Sequence, residues 1–360
     1  MGRKNAIVAI AVAVLGVCLI IDCSDKGTNT PASPANYQLI VNYLYDPLVR
    51  HSPTYYMTVS TANDSILDST FVGTVYTSMV FSHDGATAYY TGLEGLRITD
   101  GMVWGINWQT GDTVAIHRGH FGEELSISSD DRYLFSCGQP YVTLHQLPDL
   151  SLVYADTTNC QGGLIMPHHS RAFYFRLYDD SLSYVDYATS PPVKHRLAIR
   201  DDSGAVAAIQ TIGSTLSGDT LMVIAGRPQR ALLILIDADN LCTLKFIDLP
   251  FHYYSGTSIV PMQNRNRFVF YFPGNGPEEG IVYSLTLPKG EISVMMDEND
   301  FDFTFGVAPP VMTPDDEYMY VLCGNHLIKQ RLHDGEISVP ITKARLEGYS
   351  LDMNPRPLAK

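Results

Sequence analysis

Thr313-Pro314-Asp315-Asp316-Glu317-Tyr318-Met319-Tyr320-Val321 is the stretch on which the fold of this 360-residue chain turns. A short polar turn with adjacent acids opens directly into an apolar run. Ser82-His83-Asp84-Gly85 before Ala88-Tyr89-Tyr90 repeats that phrase, and so does Ser129-Asp130-Asp131 before Tyr133-Leu134-Phe135. Fainter copies are His168-His169-Ser170 before Ala172-Phe173-Tyr174, Ser217-Gly218-Asp219 before Leu221-Met222-Val223, and Asn264-Arg265-Asn266 before Phe268-Val269-Phe270. With Gly85, Asp131, Ser170, Asp219, Asn266 and Asp316 as anchors, successive steps are 46, 39, 49, 47 and 50 residues. A repeat of this length made of strands and tight turns is the signature of a β-propeller, one four-stranded blade per repeat.

Each repeat divides into four strands, and helical periodicity is nearly absent. In the third, Leu125-Ser126-Ile127-Ser128 reads as the inner strand and Tyr133 to Ser136 as the second. Val142 to Leu147 follows as the third, and Leu152-Val153-Tyr154 as the outermost. The outer hairpin closes on Pro148-Asp149-Leu150-Ser151, a slot filled elsewhere by Gln109-Thr110-Gly111-Asp112, Asp237-Ala238-Asp239-Asn240 and His333-Asp334-Gly335-Glu336. Asp, Asn and Gly recur there because tight hairpins need φ > 0 or a side chain that bonds its own backbone. Tyr37 to Val41, Tyr55 to Val59 and Ser65-Ile66-Leu67 read as a blade lacking its first strand, which the tail Tyr349 to Pro355 supplies. The expectation is an all-β, seven-bladed propeller of four-stranded antiparallel blades over residues 37–360, closed by a composite blade from the two ends of the chain.

The turn phrases carry a family resemblance. Ser82-His83-Asp84-Gly85 followed by Ala88-Tyr89-Tyr90-Thr91-Gly92, and Thr313 to Val321, resemble the S-P-D-G-x-x-x-Y-V repeats of YVTN-type propellers. Related phrasing occurs in WD-repeat-like and phosphogluconolactonase-type seven-bladed proteins, although the Gly-His and Trp-Asp pair of true WD repeats is not visible. The resemblance implies the fold over nearly the whole chain after residue 37. It implies much less about chemistry, since the family holds binding proteins, oxidoreductases and lactonases.

The start of the chain reads as an export signal: Arg3-Lys4, then an uncharged apolar run from Ala6 to Ile21. Cys23 and the Pro/Ser/Thr-rich stretch after it resemble a bacterial lipoprotein, with residues 1–22 as the signal, Cys23 as the lipidated residue and 23–36 as a flexible tether. Ile20 and Asp22 depart from the lipoprotein pattern, and an uncleaved anchor or ordinary cleaved secretion are the alternatives. All three place the propeller outside the cytoplasm, in the cell envelope. The net charge of −14 repels phosphate backbones, so a nucleic-acid partner is not expected.

Cys137 and Cys160 end on one face of a blade, where an oxidising compartment permits a disulfide. Two strand spacings, roughly 9–10 Å, separate the strands that carry them, so only a loop folded back after Tyr154 brings them within reach. Cys242 and Cys323 are expected as buried thiols. No cysteine pair has metal-ligand spacing, and His117-Arg118-Gly119-His120 would need further ligands from elsewhere, so neither metal nor cofactor is expected. His168-His169 reads as turn chemistry.

The loops that join second to third strands and blade to blade cluster on one face around the channel. They bring Glu94, His120, Tyr178, Asp179, Asp180, Arg227, Arg230, His252, Tyr253, Tyr254 and His326 towards a funnel. Convergent aromatics, acids and arginines there suit a protein or glycan partner, with Tyr253 and Tyr254 as the leading contacts. The expected role is a membrane-tethered binding or scaffold module rather than an enzyme. The alternative is a lactonase-like or sugar-hydrolysing enzyme with a polar site in the funnel; no G-x-S-x-G elbow occurs in the chain.

Overall fold

The structure is a computed structural model that describes residues 35–44, 54–73, 75–93, 101–119, 122, 124–138, 140–176, 179–227, 230–250, 258–262, 266–271, 281–296, 309–323, 326–342 and 348–358. Every regular element among them is a strand. They form seven four-stranded antiparallel sheets. Blade 1 is composite, with Gly348–Asn354 innermost, then Gln38–Leu44, Thr54–Ser60 and Ile66–Gly73. Blades 2 to 7 are continuous and span residues 75–118, 124–157, 162–198, 208–248, 258–296 and 311–342.

What holds the blades in a ring is legible in the second strand of each. A strand buried on both faces reads as an unbroken apolar run, and its alternate side chains serve different neighbours. Met319 and Val321 face blade 6, whereas Tyr320 and Leu322 face blade 1. Ala88 packs towards blade 1 and Tyr89 towards blade 3; Leu134 packs towards blade 2 and Phe135 towards blade 4. Each of the seven blade-to-blade boundaries accordingly has its own apolar cluster. Blade 1 contributes Leu39, Val41 and Leu351 to one boundary and Ile40 to the other, so the first and the last strand of the ring both lie in the core.

The turns from inner to second strand share one construction. In blades 2, 3, 5 and 7 the first turn residue is Ser82, Ser128, Thr215 or Thr313, and its hydroxyl accepts the N–H five residues on. The fourth turn residue is left-handed: Gly85, Asp131, Gly218 and Asp316 have φ of 66°, 54°, 71° and 53°. Gly85 meets a second demand, because a Cβ there would run into Asn354 and Arg356 of blade 1.

The structure decides two of the expectations about cysteines: the fold-back that the disulfide needs is present, and Cys242 is not buried. Cys137 and Cys160 form a disulfide with Cα atoms 5.7 Å apart. The chain after the outer strand of blade 3 folds back, and the Cys160 N–H donates to Gly138 O at 3.1 Å. Cys242 is exposed rather than buried, because it lies in the closing turn of an outer hairpin, outside the sheet stack. Cys323 ends the second strand of blade 7.

Candidate functional site

The face named by the sequence is only partly within the described residues. Cys23, Glu94, His120, Tyr178, His252, Tyr253 and Tyr254 lie outside them. Arg227 and Arg230 are paired in register at the hairpin end of blade 5, and His326 is paired with Cys323 in blade 7. Asp180 is exposed, whereas Asp179 is half-buried and its carbonyl accepts the N–H of Ile209 at 2.9 Å. That bond ties blade 4 to the inner strand of blade 5, so the backbone of Asp179 serves the ring. His117 packs its ring edge-on against the buried His145, with centroids 4.5 Å apart. Among the described residues no group of three or more His, Cys, Asp or Glu is placed to hold a metal ion.

One described concavity lies on the opposite face, between the turns of blades 3 and 4. It is a cleft of about 440 Å³. One wall is the turn Ser128 to Arg132, the other the turn carrying His168, His169 and Ser170, and Tyr133, Tyr187 and Ala188 complete it. Its origin is a departure from the repeat. Blade 4 starts this turn with Met166, which has no hydroxyl to anchor it, followed by Pro167. A Pro followed by a left-handed residue is the type II pattern, and here His168 takes that conformation at φ 61°, one position earlier than in the sister turns. A bond to the neighbouring blade braces the altered turn: His168 N–H donates to Ser129 Oγ at 3.2 Å.

The rest of the lining is fixed by bonds within the fold. Ser128 Oγ donates to Asp130 Oδ1 at 2.7 Å, and the Arg132 N–H donates to the same oxygen at 3.2 Å. Burial pulls the Asp130 carboxyl upward, but these two bonds and the Arg132 charge outweigh it and hold it below the usual carboxylate range. The Arg132 side chain is 68% exposed, and its guanidinium lies 3.7 Å from Asp130 and over the ring of Tyr133. Tyr133 and Tyr187 lie 4.8 Å apart between centroids at 49°. Tyr187 donates its hydroxyl to His169 O at 3.1 Å, and burial pushes that hydroxyl above the ordinary tyrosine range. His169 is mostly covered, with Nδ1 3.8 Å from Asp239 of blade 5.

Chemically this is a preset array of donors and acceptors beside two aromatic rings. Ser129 Oγ and His168 Nδ1 are 3.5 Å apart, but that oxygen already accepts from the His168 backbone, so the pair acts as a clasp between turns. Sequence reasoning missed the cleft because it treats His168-His169 as turn filler. The signal was Met166-Pro167, which replaces the Ser or Thr opening of the clearer repeats.

No protein-family model and no curated protein matches this chain. Among solved structures it is similar to the Pseudomonas aeruginosa periplasmic gluconolactonase PpgL at 13% identity and TM-score 0.67, over 89% of this chain and 99% of that one. It is also similar to the β-propeller domain of Myceliophteria thermophila Cps50 (Swd1), at 16% identity and TM-score 0.60 over 76% and 87% of the two chains. A third likeness is Kuenenia stuttgartiensis hydrazine synthase, at 14% identity and TM-score 0.55 over 71% and 76%. Three such different proteins at these identities have the architecture in common with this chain, which is therefore a seven-bladed β-propeller.

Proposed function

We propose that this protein is a membrane-tethered binding module of the bacterial cell envelope, presenting rigid turns and loops to a protein or glycan partner. The observation that carries the reading is the cleft between blades 3 and 4. Ser128, Ser129, Asp130, His168 and Tyr187 are held there by bonds within and between blades, so a ligand meets them already ordered, which lowers the entropic cost of association. The tethering part rests on the signal-like residues 1–22 and on Cys23. Labelled palmitate incorporated by the wild-type protein and absent from Cys23→Ala supports lipidation, and label persisting on the variant overturns it. Capture of a partner from envelope extracts by the wild type, weakened in Arg132→Ala at the cleft, supports the binding role; weakening in Tyr253→Ala/Tyr254→Ala with an unchanged melt would add the opposite, loop face to the contact, and no capture at all overturns the role.

A lactonase-like enzyme is the second reading. It is favoured by the likeness to a periplasmic gluconolactonase along 99% of that chain. Hydrolysis of gluconolactone above the spontaneous rate by the purified protein would replace the binding role with this one.

A further inference from the structure

We infer that the cleft between blades 3 and 4 takes one unit of an uncharged saccharide, a reading that rests on the binding role proposed above. The charge of the lining points to a neutral ligand. Leaving the two histidines aside, the formal charges facing the cleft are those of Arg132 and Asp130, and they cancel. An anion would meet the Asp130 carboxylate and approach a chain of net charge −14. A cation would meet the exposed guanidinium.

The hydrogen-bonding pattern narrows the class. Arg132 offers only donors and Asp130 only acceptors, while the Ser170 hydroxyl supplies both kinds and His168 keeps Nε2 outside its clasp with Ser129. A ligand that satisfies such a mixture carries closely spaced groups that each donate and accept, which is what the adjacent hydroxyls of a sugar ring do. The two tyrosine rings supply the complementary surface. Their tilted pair borders the cleft and is the apolar part of a mainly polar lining, with the Tyr187 hydroxyl already committed to His169 O. The volume of about 440 Å³ falls within the range of about 300–1,000 Å³ typical of small-ligand pockets. An extended peptide has less to gain, since most of the lining is polar.

The site is also built in a way that a surface turn does not require. The ordinary hydroxyl-anchored turn occurs in the four sister blades named above; in blade 4 it is replaced, which puts His168 beside Ser129 of the neighbouring blade. The cleft thus exists only where two blades meet.

The test is ligand-observed saturation-transfer NMR on the full-length protein in detergent. The probes are the methyl glycosides of glucose, galactose, mannose and N-acetylglucosamine, alongside glucuronate and glucose 6-phosphate. At least one neutral glycoside is expected to bind about tenfold or more tightly than either anion. Ala188→Trp, which fills the cleft from an exposed turn position, should abolish the signal, and Arg132→Ala should weaken it about tenfold. Because both positions are exposed, the melt should stay unchanged; if Ala188→Trp misfolds, Arg132→Ala carries the test. The inference is overturned if no neutral glycoside binds, if an anion binds more tightly, or if Arg132→Ala or a folded Ala188→Trp binds like the wild type. Partner capture that persists alongside any of these results leaves the binding role standing and removes only the saccharide site.

Discussion

The ammonium of Lys329 lies 2.9 Å from Asp64 Oδ1, across the boundary between blade 7 and the composite blade 1. It also donates to Thr61 O at 2.9 Å and sits 4.2 Å from the centroid of the Tyr318 ring. The Tyr320 hydroxyl donates to the same Asp64 oxygen, and burial, reinforced by that carboxylate, raises it above the ordinary tyrosine range. One cation thus clasps the two blades at which the ring closes.

Replacing Lys329 with Met should remove that clasp and leave Asp64 without its counter-ion. Breaking a fully buried pair from one side costs about 3–5 kcal/mol. The Lys329 side chain is 10% exposed but that of Asp64 is 25% exposed, so the expected loss is nearer 2 kcal/mol. Urea unfolding measures it, and adding Asp64→Asn should recover part of the loss. An unchanged midpoint would show that the pair contributes nothing to closure.

Deleting residues after Gly348 should open the ring. The deletion removes the pairs Leu39↔Met353 and Val41↔Leu351, and with them Leu351 from the cluster between blades 7 and 1. It also removes the bond from Leu358 N–H to Asn36 O. A bared strand edge then invites intermolecular pairing. Melting should fall sharply or the protein should aggregate; a truncated protein melting like the wild type contradicts the composite blade.

Breaking the disulfide should lower stability without dissolving the fold. Cys137 and Cys160 are 23 residues apart in the chain, and loop-closure entropy for a link of that length corresponds to about 3 kcal/mol. Cys137→Ser should lower the melting temperature by roughly 5 °C. The wild type in reducing buffer should shift equally, while the variant should no longer respond to reductant.

Acid should loosen the turns of three blades together. Asp84 and Asp219 are held below the ordinary carboxylate range first by the hydroxyls of Ser82 and Thr215, and Asp130 by the bonds described above. A carboxylate depressed in the folded state contributes stability above its unfolded pKa and loses it as pH falls through the folded value. Stability should therefore be level above about pH 5 and decline below about pH 4. The triple variant Asp84→Asn, Asp130→Asn, Asp219→Asn should be less stable at neutral pH and show a shallower acid slope. An identical slope would assign acid sensitivity to other groups.

The architecture was legible because its determinants are local. A hydroxyl that anchors its own turn, a left-handed fourth residue and a run such as Tyr318 to Val321 are written within a few residues of one another. Repetition converts them into a blade count. Even the composite blade followed from strand order, since residues 38–73 supply three strands and residues 348–354 the fourth.

Tertiary structure alone decided what forms between blades. The pairing of Cys137 with Cys160 depends on a fold-back that strand spacing argued against, and Cys242 is exposed because its turn stands clear of the sheets. Lys329 and Asp64 are 265 residues apart, and nothing in the phrase around either names the other. The cleft needs Ser129 from one repeat and His168 from the next, brought together by the angle at which two sheets pack. Period and turn chemistry specify each sheet, because they act along a few neighbouring residues. Side chains that meet across a boundary are set by the packing of whole sheets, and that distance is not encoded in any local pattern.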